Sequence, residues 1–69
     1  MSERRVPLSP REVAVLQLVA DGRTLAELAE RLTITTGTAT NYLRFIRAKL
    51  GVKKTHAALA IALRQGWIA

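Results

Sequence analysis

Apolar residues recur at helical spacing in four stretches of this 69-residue chain, and each stretch is bracketed by residues that start or stop a helix. The first begins at Ser9-Pro10-Arg11-Glu12. A Ser9 hydroxyl can cap the orphan N–H groups, Pro10 suits the first helical position, and Glu12 stands where a capping box needs a carboxylate. Val15, Leu16, Val19 and Ala20 then form an inward stripe, Val13 and Ala14 point outward, and Gly22 supplies the left-handed residue that ends the helix. Thr24-Leu25-Ala26-Glu27 is a second capping box, opening a short helix with Leu25, Leu28, Ala29 and Leu32 on one face. Thr33-Ile34-Thr35 is long enough only for a tight turn with Ile34 inward, and Thr35 caps a third helix that runs to about Leu50.

On the third helix Ala39, Leu43, Ile46 and Leu50 recur at steps of four, three and four, which makes one core-facing stripe. The opposite stripe is Gly37, Thr40, Asn41, Arg44 and Arg47, all small, polar or basic. Gly51 ends this helix, Val52 returns to the core, and Lys53-Lys54-Thr55 form a basic connection. A fourth helix is expected from about His56 to Gln65, closed by Gly66. Its Ala58, Leu59, Ala62 and Leu63 should face the bundle while Ala57, Ala60, Ile61 and Arg64 stay outside, and Trp67 and Ile68 should fold back as a hydrophobic lock.

The expected fold is therefore all-α: a compact four-helix domain over residues 8–69 with a central helix-turn-helix, preceded by a flexible basic arm at residues 1–7. A chain this short encloses one small core and no large catalytic cleft. With 49% hydrophobic residues it has enough apolar surface to fold.

Charge narrows the class of partner. The net charge of +6 is unevenly placed: residues 1–35 hold all five acids and five bases, while residues 36–69 hold Arg44, Arg47, Lys49, Lys53, Lys54 and Arg64 and no acid. A basic half without acids suits a polyanion. The absence of cysteine removes disulfides and thiolate metal sites, and the lone His56 can anchor neither a zinc cluster nor a catalytic dyad. Glu12 and Glu27 belong to capping boxes, which leaves no carboxylate pair for acid–base catalysis. The expectation is a cytoplasmic, non-enzymatic protein with no cofactor, no metal and no membrane segment.

Five segments carry more. Leu8-Ser9-Pro10-Arg11-Glu12, Val19-Ala20-Asp21-Gly22, Glu27-Leu28-Ala29-Glu30-Arg31-Leu32, Thr38-Ala39-Thr40-Asn41-Tyr42-Leu43 and Lys49-Leu50-Gly51-Val52-Lys53 together resemble the LuxR-type helix-turn-helix domain. That domain is the DNA-binding module of NarL/FixJ response regulators, quorum-sensing regulators and GerE-like spore regulators. The resemblance spans residues 8–68 and implies a bacterial transcription regulator that binds double-stranded DNA as a dimer on repeated half-sites, third helix in the major groove. The family's base-reading positions fall on Thr40, Asn41 and Arg44. Arg can pair with guanine O6 and N7, Asn with adenine N6 and N7, and a Thr methyl suits a thymine methyl. Thr35, Thr36 and Thr38 crowd a helix N-terminus that favours phosphate; Thr24, the Tyr42 hydroxyl, Arg47, Lys49 and Lys53 are the other phosphate candidates. In the family the fourth helix is the dimer contact, which places a weak homodimer interface on Ala57, Ala60, Ile61 and Arg64.

Several positions depart from the family pattern. Leu25 and Ala26 replace residues that often touch the DNA backbone. Gly37 costs about 1 kcal/mol relative to Ala in a helix interior but permits close approach to a duplex. Phe45 takes an often polar position and either covers the core edge or meets a partner. His56 stands where many members have a capping Thr. An alternative function is an adaptor resembling region 4 of a sigma factor and gripping RNA polymerase, for which outward Val13 and Ala14 are the support; the same pair could meet a receiver or sensor domain. The chain itself shows no phosphorylatable receiver, so it reads as either an output domain or a stand-alone regulator.

Overall fold

The structure, a computed structural model, describes residues 6–69. Four helices follow one another: α1 (Pro10–Ala20), α2 (Leu25–Leu32), α3 (Thr36–Leu50) and α4 (Thr55–Gln65), with no strand among the described residues. The all-α, four-helix expectation holds. Most of the proposed arm, residues 1–5, lies outside the described residues, and Val6 and Pro7 are exposed.

Local chemistry accounts for the helix ends. Ser9 and Glu12 form a complete capping box on α1, as Thr24 and Glu27 do on α2, and Thr35 caps α3. Gly22, Gly51 and Gly66 all take left-handed backbone angles just past a helix. α4 begins at Thr55, one residue before the expected start, and Lys54 precedes it without a side-chain cap.

Each helix contributes one seam to a single core: Val15 and Leu16, Leu28 and Ala29, Ala39 and Ile46, Ala58 and Ala62. Leu8 and Ile68 close it from the chain ends. Trp67 packs half-buried on the core, and Gln17 clasps the following backbone, donating from Nε2 to the Ala69 carbonyl at 2.8 Å and accepting the Ala69 N–H at 2.9 Å. The hydrophobic lock is thus held by hydrogen bonds as well as by apolar cover.

Six expected positions differ. Leu63 is 50% exposed rather than facing the bundle. At about 100° per residue it lies roughly 120° from the middle of the Ala58–Ala62 seam, too far round to be covered. Ile61, roughly 80° from that seam, is half-buried for the same reason. Leu25 is 40% exposed because it occupies the first turn of α2, where the bundle gives less cover, and Ala20 is exposed at the last residue of α1. Val13 is half-buried rather than fully outward: it packs on the core and, with Leu8 and Trp67, lines an open apolar recess, and Ala14 is half-buried too.

Candidate nucleic-acid interface

The turn between α2 and α3 decides how the third helix is presented. Thr33 adopts φ 58°, ψ 48°, the one non-glycine residue with positive φ among the described residues. Its N–H donates to the Glu30 carbonyl at 3.2 Å and the Ile34 N–H donates to the Ala29 carbonyl at 2.9 Å, a Schellman closure of α2. Glycine is the usual residue there, and a β-branched one carries strain. Nothing local in Thr33-Ile34-Thr35 advertises this conformation. Ile34 turns partly inward, as expected, and Thr35 starts α3.

At the N-terminus of α3 the Thr35 hydroxyl accepts the Thr38 N–H at 3.1 Å and donates to the Thr38 hydroxyl at 3.1 Å. Thr36 and Gly37 are exposed beside them, and no acid stands in this first turn, so the positive end of the helix dipole is uncompensated. A Cβ on Gly37 would meet nothing closer than the Thr35 hydroxyl at 3.8 Å, so the glycine is not forced by packing. Gly37 is also the second residue of the helix rather than an interior one, which lowers its propensity cost.

The outer face of α3 exposes Thr38, Thr40, Asn41, Arg44 and Phe45 together. Phe45 is 56% exposed, so it does not cover the core edge. Tyr42 is half-buried against the core, beside Leu43. Thr24 is exposed at the start of α2, where its hydroxyl accepts the Glu27 N–H at 3.1 Å.

The basic side chains divide by what holds them. Lys53 and Lys54 are exposed in the connection between α3 and α4. Arg47 is half-buried, and its Nη1 donates to the Thr55 hydroxyl at 3.0 Å, which ties α3 to the start of α4. Lys49 is committed elsewhere: its ammonium donates to Glu12 Oε1 at 2.8 Å. A phosphate contact by Lys49 would compete with this partly buried ion pair. A separation of 37 residues hides this pairing from any local reading of the sequence.

Glu12 is only 6% exposed, and three partners offset its burial. Burial alone would push its carboxyl up; the Lys49 hydrogen bond, the Ser9 N–H at 2.8 Å, the Lys49 charge and the Ser9 hydroxyl together hold it below the usual carboxylate range. Glu27, on the exposed second box, is also held low, chiefly by the Thr24 N–H at 2.9 Å, with the Arg23 and Arg31 charges adding.

A family model described as "Bacterial regulatory proteins, luxR family" matches residues 6–62. The chain belongs to the luxR family of bacterial regulatory proteins. It is a DNA-binding helix-turn-helix domain of that family's transcription regulators, which is not an enzyme family. Among similar proteins, the transcriptional regulatory protein DesR of Bacillus subtilis is 44% identical over 61 residues, covering 88% of this chain and 31% of DesR. The response regulator RamR of Streptomyces coelicolor is 37% identical over 62 residues, covering 90% of this chain and 31% of RamR. The chain thus spans about a third of the length of these curated relatives. The solved structure of the transcription factor GerE superposes with a TM-score of 0.90 at 28% identity, covering 94% of this chain and 97% of that one. Among the described residues of this LuxR-family domain, no helix is long and apolar enough to cross a membrane.

Proposed function

We propose that this domain binds double-stranded DNA sequence-specifically, with α3 in the major groove and two copies on repeated half-sites, as part of a cytoplasmic transcription regulator. The observation that carries the reading is the joint exposure of Thr40, Asn41 and Arg44 on one face of α3, in a half of the chain that contains no acid. Arg44 and Asn41 can each make bidentate pairs with a purine edge, and the Thr40 methyl suits a thymine methyl. Thr24, Thr35, Thr36, Thr38, the Tyr42 hydroxyl, Arg47 and Lys53 serve the phosphates, with Lys49 set aside. The dimer forms weakly through α4, where exposed Ala60 and Arg64 flank half-buried Ala57 and Ile61; the exposed Leu63 enlarges that patch beyond the four residues expected. So small a surface favours assembly on DNA rather than in free solution.

The test compares two variants on a selected duplex and a random one. Arg44→Ala should lose about tenfold or more on the selected duplex and little on the random one, whereas Lys53→Ala should weaken both alike. Equal losses for Arg44→Ala on both duplexes would remove Arg44 from base reading. The adaptor alternative has less behind it, since Val13 and Ala14 are each half-buried rather than fully outward.

A further inference from the structure

Among the described residues, Phe45 is the most exposed of the large hydrophobic side chains, more so than Leu63, Leu25 or Val6. It stands on the helix assigned to the groove. Four residues advance a helix by about 40° beyond a full turn and three fall about 60° short, so Asn41 lies between Arg44 on one flank and Phe45 on the other. The exposed face of α3 is therefore two-sided: Thr40 and Arg44 make a polar flank, and Phe45 makes an apolar one. On that apolar flank Thr38, Asn41, Tyr42 and Phe45 line an open recess of about 280 Å³.

A helix with its side chains is about 10–12 Å across and the major groove is about 12 Å wide, so a seated helix presents both flanks to base edges. Of the groups that the four bases show in that groove, one is apolar, the 5-methyl of thymine. We infer that Phe45, with Tyr42 and Thr38, forms a recess for a thymine 5-methyl group and is a specificity-determining residue. This rests on the proposed seating of α3 in the groove, and it extends base reading from the polar flank to the apolar one. The four residues from Asn41 to Phe45 rise about 6 Å, against about 3.4 Å per base, so the thymine lies within about two base pairs of the base that Asn41 reads.

Replacing thymine by uracil deletes the methyl and leaves every hydrogen-bonding group in place. The experiment takes a duplex selected from random sequence by the full chain and substitutes each thymine singly. The expected result is a loss of about fourfold at one thymine per half-site, the worth of one buried methyl group, and near-equal binding of the two duplexes by Phe45→Ala. The inference is overturned if no thymine responds, or if Phe45→Ala keeps the same loss. It is also overturned if Phe45→Ala leaves the uracil response intact but turns a sedimenting dimer into a monomer, which would assign the ring to a protein contact. Failure of the seating itself reads differently: no sequence would be selected and Arg44→Ala would not alter discrimination. The uracil series on the unmutated protein needs no variant to fold, and the ring's exposure keeps Phe45→Ala close to the parent melting midpoint.

Discussion

The two capping boxes are the same device in two settings. Ser9–Glu12 and Thr24–Glu27 have the same spacing, and the same reciprocal hydrogen bonds start a helix at each. Glu27 stays at the surface and serves its own helix. Glu12 is drawn under the bundle, and the oxygen that accepts the Ser9 N–H also accepts the Lys49 ammonium from α3. One carboxylate therefore starts α1 and ties it to the helix assigned to DNA. A local motif fixes where a helix begins; its energetic weight depends on what the rest of the fold brings to it.

The sharpest way to break this comparison is to remove both carboxylates separately. Glu12→Ala should cost about 2 kcal/mol of unfolding free energy, since it deletes a charge-assisted hydrogen bond together with half of the box. Urea or thermal unfolding should find Glu27→Ala clearly milder, and equal losses would mean that the Lys49 link contributes nothing. The same contribution can be read by pH. Because the folded Glu12 carboxyl is held below its ordinary value of 4.5, its stabilisation is complete above that value and drains away as pH falls through the depressed pKa. In Lys49→Met the Glu12 pKa rises, so acid unfolding should begin at a higher pH than in the parent.

Thr24→Ala tests the second box from its other side, and a loss of about 1 kcal/mol is expected from an exposed N-cap. Thr33→Gly should act in the opposite direction, with a gain below about 1 kcal/mol as left-handed strain is relieved against the extra entropy of glycine. A loss there would show that the Thr33 side chain stabilises the turn more than its backbone strains it. The smallest expected effect is none: Lys49→Met should leave the salt dependence of DNA binding unchanged, while Lys53→Ala should reduce the log–log slope by about 1. A reduced slope in Lys49→Met would return that ammonium to the phosphates.

Much of the fold was legible because its signals are short-range. Ser9, Thr24 and Thr35 as caps, and Gly22, Gly51 and Gly66 as stops, act within four residues of themselves, and the helix limits follow from them. The stripe Ala39, Leu43, Ile46 and Leu50 was equally plain, since period alone decides which side of α3 can be apolar. The outward residues Thr40, Asn41 and Arg44 follow as its complement. Burial at the margins was harder. Leu25 and Leu63 differ little in composition from buried neighbours, and only the end of α2 and the narrow alanine seam of α4 leave them uncovered.

By itself, the sequence determined four helices, their order, the neutral first half, the acid-free second half and the family. Caps, periodicity and charge placement are properties of neighbouring residues, so no folded chain is needed to read them. Tertiary structure decided that Lys49 belongs to Glu12, that Arg47 reaches Thr55, that Thr33 turns left-handed and that Phe45 stands in the open. Apart from the Thr33 turn, which local bonds to Glu30 and Ala29 close, each of these depends on which surfaces meet after the chain closes, and hydrogen bonds or cover supplied across such distances leave no mark on the residues beside them. The basic residues of the second half thus divide into cations that hold the scaffold and cations free to meet phosphate.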